Sequence, residues 1–301
     1  MRIETTGPDF ICVGMPKAGT GWLFDQLDSH PDFWMPPVKE LLYLNQSMPR
    51  LSFLDQRSRR AVDRTASEPG GKIGERVLRR ELIDPRDIGF VQYAESIRGE
   101  PRSMDRYAGL FRFKENLLSG DITPPYWSLE YDVMASVAEH FPVAKILLLV
   151  RDPVARAWSR ISVFHRSGKF DAQLLEDASQ FAAFVRRSRK AGGARATQIA
   201  QSWLRHVPQS NFRAVLFDDI ENQPDIVLRD VLAFLGADPD KRRADVPPDY
   251  NRKAGDRKLT MTGTARAVLA EHFKDELLAC ANVFGGRASE WPSRYGFDLK
   301  S

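Results

Sequence analysis

The sequence predicts an α/β fold: a three-layer sandwich in which helices flank a central parallel sheet. Three stretches carry that prediction. Phe10–Leu23 (FICVGMPKAGTGWL) reads as a short buried strand, a Gly/Lys turn and the start of a helix. Lys145–Val150 (KILLLV) is a continuous apolar run, the pattern of a parallel strand covered on both faces. It leads into Asp152, placed to cap a helix, and Pro153, suited to the first helical position. Phe212–Phe217 (FRAVLF) is a further strand, followed by a helix over Pro224–Leu235 that Gly236 stops.

The first stretch has the physical makings of an anion site. Glycine lets the backbone approach a phosphate closely, and the first amides of a helix have no intrahelical acceptor. Lys17 adds a positive charge and Thr20 a hydroxyl. The spacing is not that of the nucleotide P-loop, which needs two glycines five apart and then Lys-Ser/Thr. Here Lys17 precedes Gly19 and Gly21, and no Lys-Ser/Thr pair follows to hold magnesium. The expected ligand is a phosphate-like group bound without a metal. An ordinary strand–turn–helix connection would also leave such a Lys exposed. The second strand delivers Arg151 to the sheet's carboxyl edge, where open α/β sheets bind ligands, and Arg makes bidentate contacts with phosphate. The following helix carries Arg156, Trp158, Ser159 and Arg160.

Composition sets the broad class. The 301 residues are 43% hydrophobic and 28% charged, which is ordinary for a globular chain. A net charge of +4 and a pI of about 9.1 suit anionic ligands and fall short of arguing for nucleic acid. Five His and two Cys show no metal-ligand spacing, so no metal is expected. Cys12 and Cys280 predict no disulfide framework. The N-terminus (MRIETTGPDF) lacks the pattern of a signal peptide, and no apolar run is long enough to span a membrane. A cytoplasmic protein is expected, and its oligomeric state is not legible.

PKAGTGWL resembles the 5′-phosphosulfate loop of sulfotransferases that use 3′-phosphoadenosine 5′-phosphosulfate (PAPS). RDPVARAWSRI resembles the same family's 3′-phosphate motif, with Arg151 at the strand end and Ser159 eight residues later. The resemblance implies a P-loop-like fold and PAPS as sulfuryl donor. It also implies that Lys17, Ala18, Gly19, Thr20, Gly21, Trp22, Arg151 and Ser159 bind that donor. Val38–Leu44 (VKELLYL) resembles the family's Lys-Glu-x-x-Tyr/Phe-Phe segment, whose Glu is the catalytic base in heparan-sulfate-type and many bacterial members. Glu40 is thus the expected base, and the chain sits nearer that branch than the cytosolic branch that uses His. An acceptor hydroxyl or amine must lose a proton as it attacks sulfur, and a positioned carboxylate can take it. His30 is read as part of the turn after the first helix.

Gly120–Trp127 (GDITPPYW) resembles the family's Glu-Lys-Ser/Thr-Pro-x-Tyr block, with Asp121 in place of Glu and Ile122 in place of Lys. Lys17 is then the main cation expected at the leaving oxygen, and Thr123 and Tyr126 are expected to line the acceptor pocket. Asn251–Lys258 (NRKAGDRK) loosely resembles the family's late donor-covering loop, which makes Arg257 or Lys258 a candidate for the 3′-phosphate.

The remaining elements follow from periodicity and punctuation. Helices are expected over Thr20–Ser29, Leu129–His140, Gln173–Arg189, Arg195–Val207 and Thr264–Phe284. One domain is expected over 1–301, with an inserted region at about 48–120 that shapes the acceptor pocket. That region contains the basic run Arg57-Ser58-Arg59-Arg60; the densest cluster, Arg186-Arg187-Ser188-Arg189-Lys190, lies further on. Both read as solvated faces or as contacts for an anion. The acceptor is left as a small molecule, glycan or lipid. Two other functions stay open at this point: a P-loop-type phosphotransferase and a non-catalytic protein that binds anionic glycans.

Overall fold

A computed structural model describes residues 7–45, 84–241, 246–250 and 259–298. Most of the inserted region, with Arg57–Arg60, lies outside the described residues, as do Arg257 and Lys258.

Among the described residues, the sheet has four parallel strands in the order β2-β1-β3-β4. These are β1 (Phe10–Cys12), β2 (Gly120–Ile122), β3 (Lys145–Val150) and β4 (Phe212–Leu216). The first half of the chain supplies α1 (Thr20–Asp28), α2 (Pro85–Ser96), α3 (Met104–Gly109) and α4 (Tyr131–His140). After β3 come α5 (Pro153–Arg166), α6 (Ala178–Arg187), α7 (Arg189–Gly192) and α8 (Ala196–Leu204). After β4 come α9 (Phe217–Asn222), α10 (Pro224–Leu235) and α11 (Gly263–Phe284). The result is a helix-flanked parallel sheet of the P-loop-like kind that the sequence predicts.

The apolar runs become the central strands because the core covers both of their faces. β1 is buried throughout, and β3 is buried from Ile146 to Val150. Burial of each such Leu or Ile side chain contributes roughly 1.5–3 kcal/mol. The strand β2 was not expected. Its three residues, Gly-Asp-Ile, include a charge and form no apolar run, so only pairing with β1 reveals it. Gly120 is required there: a Cβ would lie 2.4 Å from the Phe10 carbonyl oxygen and from its ring.

Several helices are shorter than the periodicity suggests. Gln173–Arg189 divides into a 3₁₀ turn at Ala172–Leu175, α6 and the start of α7. The break falls where the Asp177 carboxylate caps α6 by accepting from the amides of Ser179 and Gln180. Phe217, read as the strand's last residue, instead opens α9.

What matters for the site is the register between β1 and β3. Pairing continues beyond Cys12: the Val13 amide donates to Leu147 O (2.9 Å), Leu149 N to Gly14 O (2.9 Å) and Met15 N to Leu149 O (2.7 Å). The chain after β1 is thereby held alongside the carboxyl end of β3 until the two loops diverge, one into α1 and the other into α5.

Candidate functional site

The turn after β1 is shaped by backbone conformation. Lys17 has φ 74° and Gly19 φ 98°, both left-handed. Gly19 suits its place because a Cβ would meet Ile220 and Phe217 side chains at 3.1–3.2 Å in a conformation that L side chains rarely adopt. The Ala18 amide donates to Met15 O (3.2 Å), closing the turn. Ala18 is wholly buried, so its amide serves the loop itself. In α1, Leu23 N donates to Gly19 O (3.0 Å), which leaves the amides of Thr20, Gly21 and Trp22 without a helical acceptor. These amides and the positive end of the helix dipole make an anion site.

Arg151 joins the two loops. Its Nη1 donates to Lys17 O (3.0 Å), and its guanidinium lies 4.2 Å from the Phe217 ring centroid. Burial pushes its pKa down, while the surrounding carboxylates of Glu221, Asp152 and Asp218 oppose that shift. The residues next to it are braced. Asp152 caps α5 by accepting from Val154 N (2.9 Å) and Ala155 N (3.2 Å), and it also accepts from Tyr295 OH (2.8 Å). Asp218 accepts from Trp291 Nε1 (3.2 Å) and pairs with Arg294 Nη1 (2.7 Å). The residues after α11 therefore fasten the start of α5 to α9.

A cavity of about 490 Å³ opens between these elements. Lys17, Gly19, Thr20, Gly21, Trp22, Glu40, Arg151 and Ser159 all line it. Eight residues expected at a donor site or as its base, from three separate stretches of sequence, thus share one wall. Arg160 and Lys39 line it as well. The charge of Glu40 acts on the half-buried Arg160 guanidinium, whose Nε has no hydrogen-bond partner. The sequence places Arg160 on the helix without a role; its position directly after Ser159 is the available signal.

Pro248, Asp249 and Tyr250 close another side of the cavity. Trp22 Nε1 donates to Pro248 O (2.6 Å) and Gln26 Nε2 to Pro247 O (2.8 Å), so α1 holds this segment. Trp158 Nε1 donates to Leu259 O (2.8 Å) from α5.

Other expected residues lie elsewhere. Thr123 and Tyr126, expected to line the acceptor pocket, are fully buried and form no part of the cavity wall. With Tyr107 they donate to the Asp121 carboxylate at 2.5, 2.7 and 3.0 Å. Ile122 is buried in the sheet. His30 is a turn residue: its Nδ1 accepts from Asp32 N (3.1 Å) and its Nε2 donates to Asp238 O (3.0 Å). The cationic residues of 186–190 lie outside the cavity, with Arg189 set over the Trp127 ring. Burial pushes the Cys12 thiol up to about 12, which leaves it an inert core residue. Among the described residues, no cluster of His, Cys, Asp or Glu could hold a metal ion, and no helix is long and apolar enough to cross a membrane.

The model of the sulfotransferase family matches residues 8–241. No curated protein matches the chain. A sulfotransferase from Alicyclobacillus acidocaldarius superposes with a TM-score of 0.61 at 22% identity, covering 94% of this chain and 98% of that one. The sulfotransferase domain of the Synechococcus PCC 7002 olefin synthase gives 0.49 at 21% identity, covering 100% and 99%. A mouse sulfotransferase complexed with PAP gives 0.49 at 15% identity, covering 95% and 89%. The first of these shares the fold.

Burial raises the Asp121 carboxyl from 3.8 to about 6 against the pull of its hydrogen bonds. A carboxyl whose folded pKa is raised holds its proton longer in the folded state than in the unfolded one. Stability then falls as pH rises from about 4 to about 6 and is level above that. Relative to Asp121→Asn, the wild type should lose on the order of 3 kcal/mol across this window. Urea unfolding of both proteins from pH 4 to 8 measures the difference; a pH-independent gap would show that Asp121 is not shifted.

Proposed function

Because the chain belongs to the sulfotransferase family, we propose that it moves a sulfuryl group from PAPS to a hydroxyl or amine of a small-molecule, glycan or lipid acceptor. The observation that supports this reading is the shared cavity: the loop after β1, the Arg151–Ser159 stretch and Glu40 face one space. The reading gives each group a task suited to its chemistry. The unpaired amides of Thr20, Gly21 and Trp22, with Gly19 and the Lys17 ammonium, hold the phosphosulfate. Ala18 shapes the turn beneath them. Arg151 and Ser159 hold the 3′-phosphate, and Arg257 or Lys258 adds a cation to it.

Glu40 takes the proton from the acceptor as the acceptor oxygen or nitrogen attacks sulfur from the side opposite the bridging oxygen. The S–O bond to the bridging oxygen breaks, and its electron pair stays with the departing adenosine 3′,5′-bisphosphate. Lys17 and the α1 amides stabilise the charge that builds on that oxygen. With Ile122 buried in the sheet, the second cation typical of the heparan-type enzymes is not supplied from that position. On this reading the chain sits nearer the branch that uses a Glu base, with an acceptor that need not be heparan-like. The same reading takes the chain as one cytoplasmic domain whose region 48–120 shapes the acceptor pocket, needing neither a metal nor nucleic acid.

Calorimetric titration without metal tests the donor. Adenosine 3′,5′-bisphosphate should bind roughly tenfold to a hundredfold more tightly than 5′-AMP, the value of one or two charge-assisted contacts to the 3′-phosphate. A preference for ATP with magnesium would overturn the assignment. Arg151→Ala should weaken the bisphosphate by a similar factor, roughly tenfold or more. Unchanged affinity would mean that the 3′-phosphate sits elsewhere. With an acceptor found by screening hydroxyl and amine compounds against PAPS, Glu40→Gln should lower turnover roughly a hundredfold. Near-normal turnover in that variant would remove Glu40 from the role.

A further inference from the structure

Glu40 sits in an unusual stretch of backbone. Both Glu40 (φ 65°) and Leu42 (φ 58°) are left-handed, a conformation that residues other than glycine adopt rarely and only when their surroundings enforce it. The 40–44 stretch has no helix or strand of its own to enforce it. The enforcement comes from side chains that the sequence placed in an acceptor pocket. Leu42 N donates to Thr123 Oγ1 (3.4 Å), and Leu44 N donates to Tyr126 OH (3.1 Å).

The two hydroxyls that receive these amides are themselves oriented. Thr123 and Tyr126 each give their proton to Asp121 (2.5 and 2.7 Å), so their lone pairs face the 42 and 44 amides. Tyr107 OH adds a third hydroxyl at 3.0 Å. Two carboxylate oxygens thereby accept three hydroxyl donors, within the capacity of the group. A side-chain amide cannot do the same, because half of its polar face donates. We propose that Asp121 is a positioning residue: through Thr123 and Tyr126, which hold the Leu42 and Leu44 amides, it locks the stretch that carries the left-handed Glu40 and Leu42 and so presents the Glu40 carboxylate to the cavity that Lys17 lines. This rests on the reading of Glu40 as the base.

A second observation separates this role from ordinary core packing. Asp121 is wholly buried, and the groups that hydrogen-bond to it are all neutral hydroxyls: Tyr107 of α3, and Thr123 and Tyr126 after β2. Among the described residues no cation pairs with this carboxylate, and burial raises its pKa. A scaffold chosen for stability alone would do better with an uncharged group here. The carboxylate is the group that can set both hydroxyls at once.

Tyr126→Phe and Tyr107→Phe make the matched comparison. Each removes one hydroxyl from the same carboxylate, yet only Tyr126 also holds an amide of the 40–44 stretch. Asp121→Asn joins them as the central variant. Hydrogen–deuterium exchange of the 41–44 amides, turnover of PAPS with the screened acceptor, and affinity for adenosine 3′,5′-bisphosphate are measured on all three. In Asp121→Asn and Tyr126→Phe these amides should exchange roughly tenfold faster or more, since a fixing contact is lost. Turnover should fall roughly tenfold or more while bisphosphate affinity stays within about twofold, because misplacing a reacting group slows chemistry without touching the donor site. Tyr107→Phe should leave exchange and turnover near those of the wild type. Unchanged exchange at 41–44 in Asp121→Asn would overturn the proposal, as would equal losses of turnover in Tyr107→Phe and Tyr126→Phe. Normal turnover in Glu40→Gln would instead remove the base assignment, and the exchange result would still decide whether Asp121 fixes the stretch.

Discussion

The site depends on one constraint: the loops after β1 and β3 must leave the sheet side by side. Parallel pairing that runs past the formal end of β1 supplies it, since Met15 still donates to Leu149 at the last residues of β3. The Arg151 side chain then spans the gap by donating to the Lys17 carbonyl. A guanidinium used in this way fixes the loop that carries Lys17 and keeps further donors for a ligand. A register slip of one residue would turn every side chain of β1 to the other face and part the two loops.

Around that seam the molecule treats its buried carboxylates in two ways. Asp152 and Asp218 are held by Tyr295, Trp291 and Arg294, so the end of the described chain ties down the entry to α5 and the start of α9. Here a cation helps to offset the burial of charge. Among the described residues Asp121 has hydroxyl partners only, and burial pushes its carboxyl pKa up against their pull. The first arrangement braces the Arg151 side of the cavity. The second lies under the Glu40 side, where the backbone is left-handed and would otherwise relax.

GDITPPYW resembles a pocket-forming block, yet the side chains of Thr123 and Tyr126 are buried beneath the cavity rather than lining it. Their distance from the cavity is explained by Asp121: a buried carboxylate needs donors, and the hydroxyls two and five positions further along the chain can reach it. Nothing in the local pattern distinguishes a hydroxyl that meets a ligand from one that meets a buried carboxylate. The cluster at 186–190 shows the converse limit. Its charge density is conspicuous in sequence, yet its residues fall at the end of α6 and in α7, away from the cavity.

By itself the sequence determined the elements whose signals are local. These are the apolar runs of β1, β3 and β4, the cap and proline that start α5, and the glycines of the turn before α1. It also determined that Lys17, Thr20 and Arg151 would sit in the turn, at the helix start and at the strand end, and that Ser159 would ride on the helix after Pro153, because those positions follow from hydrophobic periodicity and capping alone. Only the tertiary structure decided that β2 exists, since three residues without an apolar run become a strand only by pairing with β1. The fold likewise decided that Arg160 and Lys39 reach the same space as Glu40, and that Thr123 and Tyr126 serve the backbone beneath it. The physical reason is the same in each case: these roles are set by contacts between residues far apart in the chain, and such contacts leave no periodic trace in the sequence.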